Sequence, residues 1–105
     1  GIRRWLTGTP PVLGLGALEA ALALWQAVDM AAVETKSAAL FDILLDAGTA
    51  AGLDCITPRD PAARGSHISF RHDHAYAITQ ALIARGVVGA FRDPDVLRLG
   101  LTRWP

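Results

Sequence analysis

Apolar side chains recur at helical spacing early in the chain: Leu15, Leu18, Leu22 and Trp25 fall at three- and four-residue steps, with alanines between them. Only Glu19 and Gln26 interrupt as clearly polar positions, so the periodicity predicts a helix from Val12 to about Val28, apolar nearly all round. Ahead of it, Thr7-Gly8-Thr9-Pro10-Pro11 places two prolines behind a glycine, and residues 1 to 11 read as an irregular, rigid loop. Asp29 can cap a second helix, in which Val33, Ser37, Leu40, Phe41 and Leu44 form one stripe while Glu34, Lys36, Asp42 and Asp46 lie mostly elsewhere. That helix is expected to run to Gly48 or Gly52.

Beyond Gly52 the period changes. Leu53 to Thr57 is a short strand candidate, Pro58 to Gly65 a loop, and Ser66 to Arg71 alternates with His67, Ser69 and Arg71 on one face and Ile68 and Phe70 on the other. Asp73 can cap a third helix from His74 to Arg85, with Ala75, Ile78, Thr79, Leu82 and Ile83 as its buried stripe and Gly86 as its left-handed stop. Val87 to Phe91 and Val96 to Leu101 read as strands around an Asp93-Pro94-Asp95 turn. This order predicts an α+β fold, with helices packed on one side of a small, mostly antiparallel sheet.

The chain has 105 residues, enough for one domain and one core. Hydrophobic residues make up 51% and charged residues 19%, with a mean hydropathy of +0.30, which excludes a disordered, solvated chain. So large an apolar share implies that some of it meets another surface. Ten basic residues balance ten acidic ones, so no summed field favours a nucleic acid or an anionic membrane as partner. The single cysteine, Cys55, cannot close an internal disulfide and fits a reducing, cytoplasmic compartment. No apolar run reaches the roughly 18 residues of a membrane span, so a soluble chain is expected.

Candidate chemistry is sparse. His67, His72, Asp73 and His74 are possible metal ligands by type, but their spacing puts them on different faces and favours surface or capping roles. Gly14-Leu15-Gly16 lacks the preceding strand and the third glycine of a phosphate loop, and close helix packing accounts for it better. Lys36, the only lysine, sits among polar neighbours rather than in a desolvating pocket. Ser37, Ser66 and Ser69 lack a nucleophile elbow. Arg98 differs, because a guanidinium in an otherwise apolar strand offers a planar fork that matches a carboxylate. The plainer alternative is a surface pair with Asp93 or Asp95.

Three stretches then converge: Arg4-Trp5-Leu6-Thr7-Gly8-Thr9-Pro10-Pro11, Thr57-Pro58-Arg59-Asp60-Pro61 with Arg64-Gly65-Ser66, and Ala84-Arg85-Gly86-Val87-Val88-Gly89 with Phe91-Arg92 and Leu97-Arg98-Leu99-Gly100. Together they resemble the C-terminal small domain of kynureninase, a pyridoxal-phosphate-dependent hydrolase of the aspartate-aminotransferase fold. The likeness covers about residues 2 to 102. It implies hydrolysis of L-kynurenine to anthranilate and L-alanine in tryptophan degradation, by a homo-oligomer. It also implies that Arg98 grips the substrate α-carboxylate, while Gly8 and Thr9 lie near the substrate's aromatic ring and favour kynurenine over its 3-hydroxy form.

The departures bear on what this chain does alone. The cofactor lysine and most phosphate-binding groups belong to a large domain expected to precede residue 1, and Lys36 does not match that lysine. After Thr102 the family continues with Pro-Leu-Tyr, whereas Arg103-Trp104-Pro105 stands here. The 105 residues by themselves are therefore expected to bind no cofactor and to be inactive. Two alternatives remain at this stage: a stand-alone interaction module, or the small domain of another aminotransferase-like enzyme such as a cysteine desulfurase.

Overall fold

A computed structural model describes residues 1–101, and the chain divides into two compact units, Gly1–Met30 and Ala31–Pro105. In the first, a 3-10 turn over Ile2–Trp5 precedes helix α1, Val12–Trp25. The Arg4 guanidinium lies over the Trp5 ring, 5.3 Å from its centre. Pro11 opens α1, its carbonyl accepting from the Leu15 N–H at 2.9 Å. The helix ends before the predicted Val28 because the Val28 N–H turns back to the Trp25 carbonyl, a tighter three-residue closure. No residue of α1 is buried.

Helix α2, Met30–Ala50, begins directly after Asp29 and fulfils its predicted stripe: Phe41 is buried and Val33, Ser37, Leu40 and Leu44 are half-buried. It stops where Gly52 adopts φ +82°, which lets the Leu53 N–H reach back to the Gly48 carbonyl at 2.9 Å. Strand β1, Asp54–Cys55, is shorter than predicted. Ile56 still donates to the Ser69 carbonyl, but the Thr57 hydroxyl accepts from the Ser69 N–H at 2.8 Å, so a side chain ends the ladder.

Strand β2 is His67–Arg71, helix α3 is Ala75–Ala84, and strands β3, Ala90–Arg92, and β4, Val96–Gly100, close the sheet. The strand order is β1-β2-β4-β3 with each neighbouring pair antiparallel. β2 and β3 therefore run parallel to each other on either side of β4, with α3 as their connection. The predicted element order and the α+β class stand.

Residues opposite one another in register share a face. Cys55, Phe70, Leu97 and Phe91 form one such row, and Ile68 with Leu99 another. Phe41 of α2 packs with Ile68, Phe70 and Leu101 in the core, and Tyr76 of α3 meets Phe91 edge-on with ring centres 5.4 Å apart. Both helices thus cover the same face, as the one-sided arrangement predicts. Gly48 is buried on α2 because a Cβ there would overlap the Phe70 ring. Arg64 stacks on Phe41 with its guanidinium carbon 3.5 Å from the ring centre, held by a bond to the Arg59 carbonyl at 2.6 Å.

Several expectations are corrected. Asp73 does not cap α3; the His74 N–H donates to His72 Nδ1 at 3.0 Å, and the Ala75 N–H to the His72 carbonyl. Ile83 of the predicted stripe, in the last turn of the ten-residue α3, is 45% exposed. Strand β3 begins at Ala90 rather than Val87: Gly86 at φ +83° lets Val87 bond back to Leu82, which leaves 87–89 outside the ladder. Ser69, on the polar side of β2, is buried because β2 has neighbours on both sides and its side chain is short. Gly14 and Gly16 do not mark close packing among the described residues, as a Cβ at Gly16 would meet nothing within 4 Å and one at Gly14 only Pro11, at 3.8 Å. The departure at Arg103-Trp104-Pro105 lies outside the described residues.

Candidate carboxylate site on the open sheet face

The alternation of β4 explains why a charged residue sits in so apolar a strand. Leu97 and Leu99 point to the helices, and the intervening Val96, Arg98 and Gly100 point to the opposite face, where Arg98 and Gly100 are exposed. Beside Arg98 on that face stand Ser69 of β2 and Ala90 of β3. Both neighbours are small and uncharged, so neither shields nor neutralises the guanidinium. Arg98 is exposed.

The plainer alternative for Arg98 is not what the structure holds. Asp95 pairs with Arg71, its Oδ2 lying 3.4 Å from Arg71 Nε, and among the described residues no ion pair joins Arg98 to Asp93 or Asp95. The register places Arg71 and Arg92 on either side of Val96, one step along the face from Arg98. Arg92 was not singled out from the sequence. Its signal was there, since in Ala90-Phe91-Arg92 the inward Phe91 fixes Arg92 outward, on the same side as Arg98.

Gly8 and Thr9 lie in the first unit, exposed in the segment between the 3-10 turn and α1. A Cβ at Gly8 would meet nothing within 4 Å, so packing among the described residues does not demand a glycine there. Lys36 is exposed on α2, whereas a cofactor aldehyde needs a lysine held in a desolvating site, so Lys36 does not fit as the lysine that pyridoxal phosphate would join. His72 and His74 stand with ring centres 5.7 Å apart as part of the α3 start. Among the described residues no three His, Cys, Asp or Glu side chains gather where they could hold a metal ion. No single helix there is long and apolar enough to cross a membrane.

Comparison with known proteins identifies the family. The family model described as the kynureninase C-terminal domain matches residues 33–104. The chain is 43% identical over 106 aligned positions to a kynureninase of Pseudomonas fluorescens, and 44% identical to kynureninases of Burkholderia mallei and Burkholderia pseudomallei. In each case the alignment covers 97% of this chain and 26% of the relative, so the chain spans about a quarter of the length of the proteins it matches. With a matching family model over most of its length, the chain belongs to the kynureninase C-terminal domain family.

Proposed function

We propose that this chain serves as the C-terminal domain of a hydrolase that converts L-kynurenine and water to anthranilate and L-alanine in tryptophan breakdown, and that Arg98 anchors the substrate α-carboxylate. Membership of the kynureninase family supports the reaction. The observation that carries the anchor is the exposed Arg98 guanidinium, without an acidic partner among the described residues, between Ser69 and Ala90 on the open face of a central strand. Pyridoxal phosphate belongs to the reading through the family, with its lysine supplied from outside this chain. The family assignment also displaces the cysteine desulfurase alternative.

Gly8 and Thr9 fit a role beside the substrate ring, with the free space at Gly8 as support and a preference for kynurenine over its 3-hydroxy form as the consequence. The apolar, unburied α1 supports assembly as a homo-oligomer, and the lone thiol of Cys55 supports a reducing, cytoplasmic setting.

The test is steady-state kinetics of the holoenzyme carrying this domain. A two-pronged, charge-assisted pair in a closed site loses about 2 to 5 kcal/mol when one partner is truncated. Arg98→Ala is expected to cut kcat/KM for kynurenine by that amount while cofactor binding persists. Arg98→Lys keeps the charge without the fork and should fall between the two. A lower Tm with unchanged turnover per folded molecule would retire Arg98 as a site residue.

A further inference from the structure

The open face of the sheet segregates its charges. Asp54 is the register partner of Arg71, and the Asp95 carboxylate lies 3.4 Å from the same arginine, so both acids attend the β1 side of the face. Across β4 the picture is reversed. Arg98 stands opposite Ala90 and Arg92 opposite Val96, which makes the two arginines diagonal neighbours on one face, roughly 7–8 Å apart at that spacing. Both are exposed, and among the described residues no hydrogen bond or ion pair holds either guanidinium. Asp93 follows Arg92 directly in the hairpin turn and still forms no ion pair with it.

Two like charges held as diagonal neighbours repel each other, and an acid between them would relieve the repulsion. The fold instead places Ala90, a side chain without charge, at the position that faces Arg98 and precedes Arg92 on the same side. Two exposed guanidiniums without an ion pair among the described residues thus stand side by side on this face, where a small anion would be drawn.

We propose that Arg92 is a positioning residue for the carboxylate that Arg98 takes. Its charge adds to the local field that attracts the substrate anion, and its repulsion keeps the Arg98 guanidinium from folding down over Ala90, so the fork stays presented. The ligand class is the carboxylate of a small amino acid, and the inference rests on the Arg98 reading above.

The experiment measures KM and kcat for L-kynurenine at low and high salt in the holoenzyme carrying this domain, for Arg92→Gln, Arg92→Lys and Arg98→Gln. Arg92→Gln should lower kcat/KM about three- to tenfold at low salt, chiefly through KM. The difference from the parent should shrink as salt screens the field. Arg92→Lys, which keeps the charge, should stay close to the parent at both salt levels. An unchanged KM for Arg92→Gln, a rise in KM that salt does not reduce, or an Arg92→Lys variant as impaired as Arg92→Gln would each overturn the proposal. Arg98→Gln separates the two readings: if it is impaired while Arg92→Gln is not, only the inference about Arg92 fails, and if Arg98→Gln itself binds substrate normally, the anchor fails with it.

Discussion

Helices α1 and α2 make opposite use of apolar residues. α1 carries leucines, alanines and glycines on every side with Glu19 as its one charge, yet none of its residues is buried; Leu13 is 92% exposed. α2 contains Glu34, Lys36, Asp42 and Asp46, yet it supplies Phe41 to the centre of the core and brings Gly48 against Phe70. Apolar content therefore does not decide which helix is buried. What decides it is asymmetry, because the charges of α2 leave one stripe that fits one face of the sheet, while α1 has no single side to commit. A helix that is apolar all round and unburied leaves a large apolar surface exposed.

Truncation in the two helices should break this comparison most sharply if it is wrong. Phe41→Ala leaves a cavity among Ile68, Phe70 and Leu101 and removes the ring on which Arg64 stacks, at an expected cost of about 3 to 5 kcal/mol. Leu13→Ala should change stability by no more than about 0.5 kcal/mol, since the side chain touches mostly solvent. Urea unfolding of the two variants measures both, and similar losses would show that α1 contributes to the core as α2 does.

Glycine replacement sharpens the contrast through its sign. Gly48→Ala drives a methyl group into the Phe70 ring, a rigid neighbour in a packed core, and should cost about 1 to 3 kcal/mol. Gly16→Ala meets nothing within 4 Å and replaces the residue with the most backbone freedom to lose, so it should stabilise α1 by about 0.5 to 1 kcal/mol. Thermal unfolding should therefore move in opposite directions for the two substitutions.

The smallest effect on stability concerns the outer surface of α1. The double substitution Leu18→Glu with Leu22→Glu alters positions that are 52% and 54% exposed. It should leave the far-ultraviolet circular dichroism of the chain nearly unchanged while reducing both the binding of a hydrophobic dye and self-association at high concentration. Dye binding that is equal in parent and variant would mean that the apolar surface lies elsewhere.

Much of the fold was legible along the chain. The stripe from Val33 to Leu44, a stop at Gly48 or Gly52, the alternation of Ile68 and Phe70, and the left-handed Gly86 all follow from spacing and backbone preference within a few residues, with Gly52 the glycine that takes the stop. Arg98 was legible too, as a charge in an apolar strand, and the resemblance to kynureninase rested on motifs in order. What could not be read was which partner each polar group would find. Asp73 and His72 stand side by side, and both can accept the free N–H at the start of α3; the choice of His72 Nδ1 depends on how β2 delivers the chain to the helix.

Local periods arise from steric and hydrogen-bonding rules that act between neighbours in sequence, which is why the helices, the strands and their apolar faces were determined by the residues alone. Register is decided between segments far apart in the chain, by packing that no single segment contains. Only that register places Arg98 between Ser69 and Ala90, gives Asp95 to Arg71, sets Arg92 beside Arg98, and lets the Thr57 hydroxyl take the place of a backbone carbonyl at the end of β1. The sequence thus determined which side chains could do chemistry, and the sheet decided which of them stand free to do it.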